Sequence, residues 1–360
     1  MNPQSSVIHQ LEDILASKYV SRRVEILERV ADLFVIGSGK FSADNVELFD
    51  HVMSKLLENV ASAARAELGS KLAALADAPP NVIHHLAADD AIAVAGPVLR
   101  QSGRIDEQAL INAATTKSQD HLLAISNRAN LTEAVTDVLV ERGNQTVVSY
   151  TAKNSGARFS ETGFSGLVKK AADDGDLALS LWSRPDIPRH VLVKLFVDAS
   201  EVVRSQLTPA DPSQAEAIRS AVAQASDQLQ TKARARSADF AEAKSYVDSL
   251  HAAGRLNEAQ LHGFAKEGSF DKVTLAIALM CNLPIEVIER AFVQNQPDQV
   301  LILAKAIDLS WVTTVTLLFL QASASGSPRP HLDQCLASFS RLQPKTAQTA
   351  LQFYRDKAAL

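Results

Sequence analysis

The chain has 360 residues, a formal net charge of −5, 46% hydrophobic and 21% charged residues, a composition that excludes wholesale disorder. Its 14 glycines and 13 prolines are together about 7.5% of the chain, against about 12% in an average protein, and with about 55 alanines this favours helices over turn-rich β architectures. The acidic balance argues against a nucleic-acid binder, which carries a basic face, and 5% aromatics are too few for a large base-stacking or carbohydrate surface.

Taken from the start, the first residues lack a basic stretch followed by an apolar one, so no secretory signal is expected. The most apolar windows, Val273 to Cys281 and Trp311 to Ala322, are far short of the roughly 20 residues that span a bilayer. Cys281 and Cys335 are the only cysteines and form no metal or disulfide framework, so a cytoplasmic, reduced protein without cofactor or metal is expected. Residues 1–78 read as an N-terminal helical cap or atypical first repeats, with one helix starting after Phe41 and Ser42.

From there the chain repeats itself. Ile105, Leu131, Phe159 and Ile187 are apolar anchors 26, 28 and 28 residues apart, and Leu256, Leu283 and Leu309 are 27 and 26 apart. The residue after each anchor is Asp106, Thr132, Ser160, Pro188, Asn257, Pro284 or Ser310. These types satisfy or tolerate the unpaired amides of a helix's first turn. Apolar residues then follow four or five and eight positions on, which is one helical face; the unit after Leu309 fits less well and uses the third and sixth positions, Val312 and Val315. Ala78, followed by Pro79, extends the spacing upstream by 27. Each unit therefore reads as helix, tight polar turn with the anchor, helix, and such short helices need stacked neighbours to be stable.

The expected fold is all-α: an α-solenoid of short two-helix HEAT-like repeats with a period of about 27 residues, in two blocks. The first block is 79–200 and the second 246–325, joined by 201–245. That joining stretch is Ala-, Ser- and Gln-rich with balanced charge; it reads as an exposed helical linker, with a flexible tether as the alternative. Residues 326–360, after the Ser323 to Pro330 break, read as closing helices.

Several runs carry a family resemblance: Leu122 to Leu131 (LLAISNRANL), Val135 to Asn144 (VTDVLVERGN), Arg184 to Pro188 (RPDIP), Gly254 to Glu258 (GRLNE) and Leu309 to Trp311. With the stretch from Leu86 to Phe196, they resemble the bacterial, mainly alphaproteobacterial, family called domain of unknown function 2336. The resemblance covers most of the chain and implies helical repeats. It implies no activity and no site residue.

Motifs that suggest chemistry fail on inspection. Gly37-Ser38-Gly39-Lys40 lacks the upstream glycine and following Ser or Thr of a phosphate loop, with Phe34 and Phe41 in those places, so a helix–helix turn is expected. Gly163 to Gly166 is not a nucleophile elbow, because no strand precedes it. His84 and His85 with Asp89 and Asp90 are the one local group of ligand-capable side chains, and they read as polar turn residues. Cys281 reads as a buried thiol. Lys232, Arg234 and Arg236 read as part of a solvated linker. Arg128 and Arg184 stand three residues before their anchors and are candidates for a partner-binding edge; the competing expectation is that they bond to carbonyls at helix ends.

The functional expectation is a non-enzymatic scaffold or adaptor that binds another protein, without nucleic acid or membrane span. The alternative is a small-molecule or nucleotide-binding regulator, or an enzyme, with a pocket between the repeat blocks.

Overall fold

The computed structural model describes residues 20–58, 60–210, 214–326, 328 and 330–358; the portion of the expected cap before residue 20 lies outside them. The described residues form helices without a single named strand, and divide into two compact units, 1–163 and 164–360. That division falls inside the segment 79–200 that the spacing treats as one block.

In the first unit the helices are α1 (Val20–Gly37), α2 (Ala43–Leu57), α3 (Ser62–Leu72), α4 (Pro80–Ala87), α5 (Ile92–Gln101), α6 (Glu107–Thr116), α7 (Gln119–Ser126), α8 (Glu133–Arg142) and α9 (Gln145–Lys153). Helices α1, α3, α5, α7 and α9 pack in series as one layer. In the other layer α2 packs on α4 and α6 on α8. Such alternation is what stacked helix pairs produce. Helix α10 (Glu161–Ala171) carries the division between the units.

The second unit continues with α11 (Gly175–Trp182), α12 (Arg189–Ala210), α13 (Ala215–Arg236), α14 (Ala238–Ala252), α15 (Glu258–Lys266), α16 (Phe270–Cys281), α17 (Ile285–Val293), α18 (Pro297–Ala306), α19 (Trp311–Ser325), α20 (Leu332–Arg341) and α21 (Pro344–Ala358). Helices α14, α16 and α18 stack in series, α17 packs on α19, and α20 and α21 close against α18. The long α12 lies against α16, α17 and α19, with α13 folded back along it. The described residues of 201–245 are thus the end of α12, all of α13 and the start of α14. Helix α13 is exposed or half-buried over most of its length, with one face buried at Ser226, Gln230, Ala233 and Arg234.

Local chemistry explains where the helices begin. Every one of the seven residues following an anchor immediately precedes a helix. Asp106, Asn257 and Ser310 each accept a hydrogen bond from the amide three residues on, and Ser160 accepts one from Gly163 at 2.9 Å. A cap of this kind is worth about 1 kcal/mol. Six of the anchors are buried, and Leu256 is partly so. All the residues eight positions past an anchor, from Ala113 to Leu317, are buried as well.

The polar residue before an anchor has its own task in the second unit. Asn282 and Asp308 take positive φ, 49° and 58°, a conformation that Asn and Asp tolerate better than other side chains. The chain reverses there, and the anchor amides of Leu283 and Leu309 donate back to Ala278 and Ala304.

Successive pairs in the first unit are also stitched by side chains. Arg104 Nε donates to the Ala78 carbonyl, Lys117 Nζ to Ala88, and Asn154 Nδ2 to Ser126 and Arg128, across 26, 29, 28 and 26 residues. Between Leu131 and Ala157 the backbones touch directly in a parallel bridge. Gly156 allows it, since a Cβ there would stand 1.8 Å from the Ala129 carbonyl oxygen.

Candidate functional site

The residues that drew attention in the sequence are mostly occupied by structure. Arg128 donates from Nη1 to the Leu99 carbonyl at 2.6 Å and from Nη2 to that of Ser102 at 2.8 Å, at the C-terminal end of α5. Helix ends carry unpaired carbonyls and partial negative charge, so a guanidinium is well placed there. Arg184, in the second unit, turns back on Asp186 in a two-pronged pair of 2.8 and 2.7 Å.

Gly37 to Lys40 form the turn after α1, where Ser38 Oγ and the Gly39 amide donate to Asp77. His84 and His85 are exposed on α4. Asp89 is held by Arg65 at 2.7 Å, and Asp90 pairs with Lys117. Among the described residues no group of three His, Cys, Asp or Glu could hold a metal ion. Cys281 is fully buried, and burial pushes its thiol up to about 12.

A large opening in the second unit lies elsewhere. A groove of about 1690 Å³ runs between the turn that joins α11 to α12, the junction of α13 with α14, and the turn into α16. One wall is a single face of α14: Asp239, Glu242, Tyr246 and Ser249, spaced by three, four and three residues. Asp239 and Asp271 stand in the first turns of α14 and α16, where carboxylates answer the positive ends of those helices.

Beneath the groove is a charge network. Arg189, only 9% exposed, donates from Nε to Asp271 at 3.0 Å and from Nη2 to Glu289. Its guanidinium carbon lies 4.7 Å from the centre of the Phe240 ring, within cation–π range. Arg234, 8% exposed, donates to Glu289 at 2.9 Å and also to Glu286. Glu289 itself is 0% exposed. Burial pushes its carboxyl up to about 7, against the pull of Arg189 and Arg234. Asp271 is likewise raised by burial, which Arg189 opposes. A buried carboxylate is tolerated only when paired in this manner.

Toward solvent two further cations are held by aromatic rings. Arg236 lies 5.5 Å from the Trp182 ring centre, and Lys272 lies 5.5 Å from Tyr246 and 5.7 Å from Phe264. Sequence reasoning missed Arg189, Arg234, Asp271 and Glu289 because their partners are far apart along the chain. One local signal existed: Glu289 is an acid on the helical stripe that Ile288 and Phe292 make apolar.

No helix among the described residues is long and apolar enough to cross a membrane. No curated protein and no solved structure matches the chain significantly. The pattern of a family described as an uncharacterised protein conserved in bacteria, DUF2336, matches residues 94–352, more than two thirds of the chain. That match takes in the later part of the first unit, most of the second and every residue of the groove, and the chain belongs to this bacterial family.

Proposed function

We propose that the protein is a non-enzymatic scaffold that binds a partner polypeptide in the groove of its second unit. The observation that carries this reading is the groove itself: about 1690 Å³ in extent, with Arg184 paired to Asp186 and Arg189 to Asp271 and Glu289, while Nη1 of Arg189 is buried without a hydrogen-bond partner among the described residues. Small-molecule pockets typically measure about 300–1,000 Å³ and converge a few unengaged polar groups on one point. A long open trough suits a length of chain better. Two free, buried cysteines support a reducing compartment.

The test uses the full chain and a groove-blocked variant carrying Ser245→Trp and Ser249→Arg, both at exposed positions of α14. A protein retained by the parent and lost with the variant, identified by mass spectrometry, is the expected result. A panel of nucleotides and metabolites in a thermal-shift assay tests the competing regulator. A rise of several degrees that the blocked variant abolishes would replace the scaffold reading with that one.

A further inference from the structure

We infer that the groove recognises an extended segment of the pattern acid–x–base–x–acid, its two acids meeting Arg236 and Lys272 and its base meeting Asp239 and Glu242. This rests on the reading of the groove as a polypeptide site, and adds the chemistry of the partner.

The inference starts from which charges the fold has left over. Arg184 is paired with Asp186, and Arg189 with Asp271 and Glu289, so their charges are balanced within the floor, although Nη1 of Arg189 has no hydrogen-bond partner among the described residues. Arg236 forms no ion pair with a described residue, and Lys272 has one carboxylate near it, Glu267 at 3.5 Å. Asp239 and Glu242 form no ion pair with a described residue either, and both are exposed. The groove thus offers a cation at the end of α13, two acids along the first two turns of α14, and a second cation beside Tyr246.

Geometry sets the spacing. Arg236 ends α13 and Ala238 begins α14; from Ala238 to Tyr246 is eight residues, or about 12 Å along the helix at 1.5 Å per residue. An extended chain advances about 3.3 Å per residue and turns every second side chain to the same face. Side chains at positions one, three and five therefore share a face and span about 13 Å, which the flexible stems of Arg236 and Lys272 accommodate. The cation–acid–cation order on the protein calls for acid, base, acid on the partner.

The aromatic rings add a reason for using these two cations. Trp182 under Arg236, and Tyr246 and Phe264 under Lys272, hold the charged heads near one position. Less side-chain freedom is then lost when a partner carboxylate arrives.

The probe is a random linear heptapeptide library displayed on phage, selected on the full chain and counter-selected on the groove-blocked variant. Enriched peptides are expected to carry two acids four residues apart with Lys or Arg midway. Binding of one such peptide, followed by fluorescence polarisation, is expected to weaken about tenfold on Arg236→Glu, equivalent to about 1.4 kcal/mol. It should recover when the matching peptide acid is changed to Lys. Arg236→Gln serves if the reversal disturbs folding, with a smaller loss and no recovery. Groove-dependent peptides without the pattern, or a peptide that binds the Arg236→Glu chain as tightly as the parent, would overturn the inference and leave the scaffold reading standing. Selection of no groove-dependent peptide at all would overturn both.

Discussion

Replacing Arg234 by Met tests the network beneath the groove directly. Arg234 reaches from α13 to two acids of α17, Glu286 and the fully buried Glu289. Without it, Glu289 keeps one guanidinium, that of Arg189, which it already shares with Asp271. Removing one partner of a buried ion pair costs about 3–5 kcal/mol, a large part of the 5–15 kcal/mol that stabilises a typical domain. Both tryptophans, Trp182 and Trp311, lie in the second unit, so their fluorescence reports its unfolding. Urea is the right denaturant, since guanidinium would screen the charges in question. With a slope near 2 kcal/mol/M, the midpoint at pH 8 should fall by about 2 M.

The pH dependence sharpens the test. Burial already sets the Glu289 carboxyl at about 7 in the parent, above its ordinary 4.5. A raised folded-state pKa means that the group's contribution to stability is complete below 4.5 and is lost as pH rises through 7. Taking Arg234 away removes one force holding the carboxylate ionised, so the variant binds its proton more tightly still. Its deficit should be larger at pH 8 than at pH 5.5. Adding Glu289→Leu to Arg234→Met should recover most of the loss, because the stranded charge goes with its partner. A deficit under about 1 kcal/mol at pH 8, or a double variant whose loss equals that of the two single ones added, would refute this account.

Three further outcomes follow from the packing. Gly156→Ala drives a methyl group onto the Ala129 carbonyl and should cost about 3 kcal/mol, with faster hydrogen exchange at the bridged amides of Leu131 and Arg158; unchanged exchange would contradict it. Cys281, buried and with its thiol held at about 12, should resist a disulfide reagent in the folded protein and react at once in urea, and rapid native labelling at that position would show the packing to be wrong. Glu258 accepts bonds from Ser310 and Thr313, which hold its carboxyl below the ordinary range; its contribution is present above pH 4.5 and lost as pH falls below it, so acid denaturation curves of Glu258→Gln should be shallower than those of the parent.

The starts of the helices were legible because a cap is made of residues three apart, and the anchor is its neighbour. Asn282 and Asp308 likewise announce a reversal through their own backbone preference, with no help from distant chain. What composition hid was the role of α13. Its inward face reads as linker because Ser226, Gln230 and Arg234 are polar, yet that face meets Glu286 and Glu289, some fifty residues farther on. A polar face opposite a charged one is complementary, and no single-sequence scale registers complementarity between segments.

The gap in the spacing was visible for the same reason that its content was not. Sixty-nine residues separate Ile187 from Leu256, and this interval supplies the Arg189, Arg236, Asp239, Glu242 and Tyr246 that line the groove. Regular repeats bury equivalent faces at each step and leave similar turns outside. An irregular insertion creates a depression where the stacking is interrupted. A tether would have no cause to bring Arg234 within 2.9 Å of a fully buried carboxylate, for the loss of solvation would go uncompensated unless the helix bearing it were held in place. The network therefore fixes α13, whose last turn and the start of α14 form one end of the groove, and the break in the period is where the groove lies.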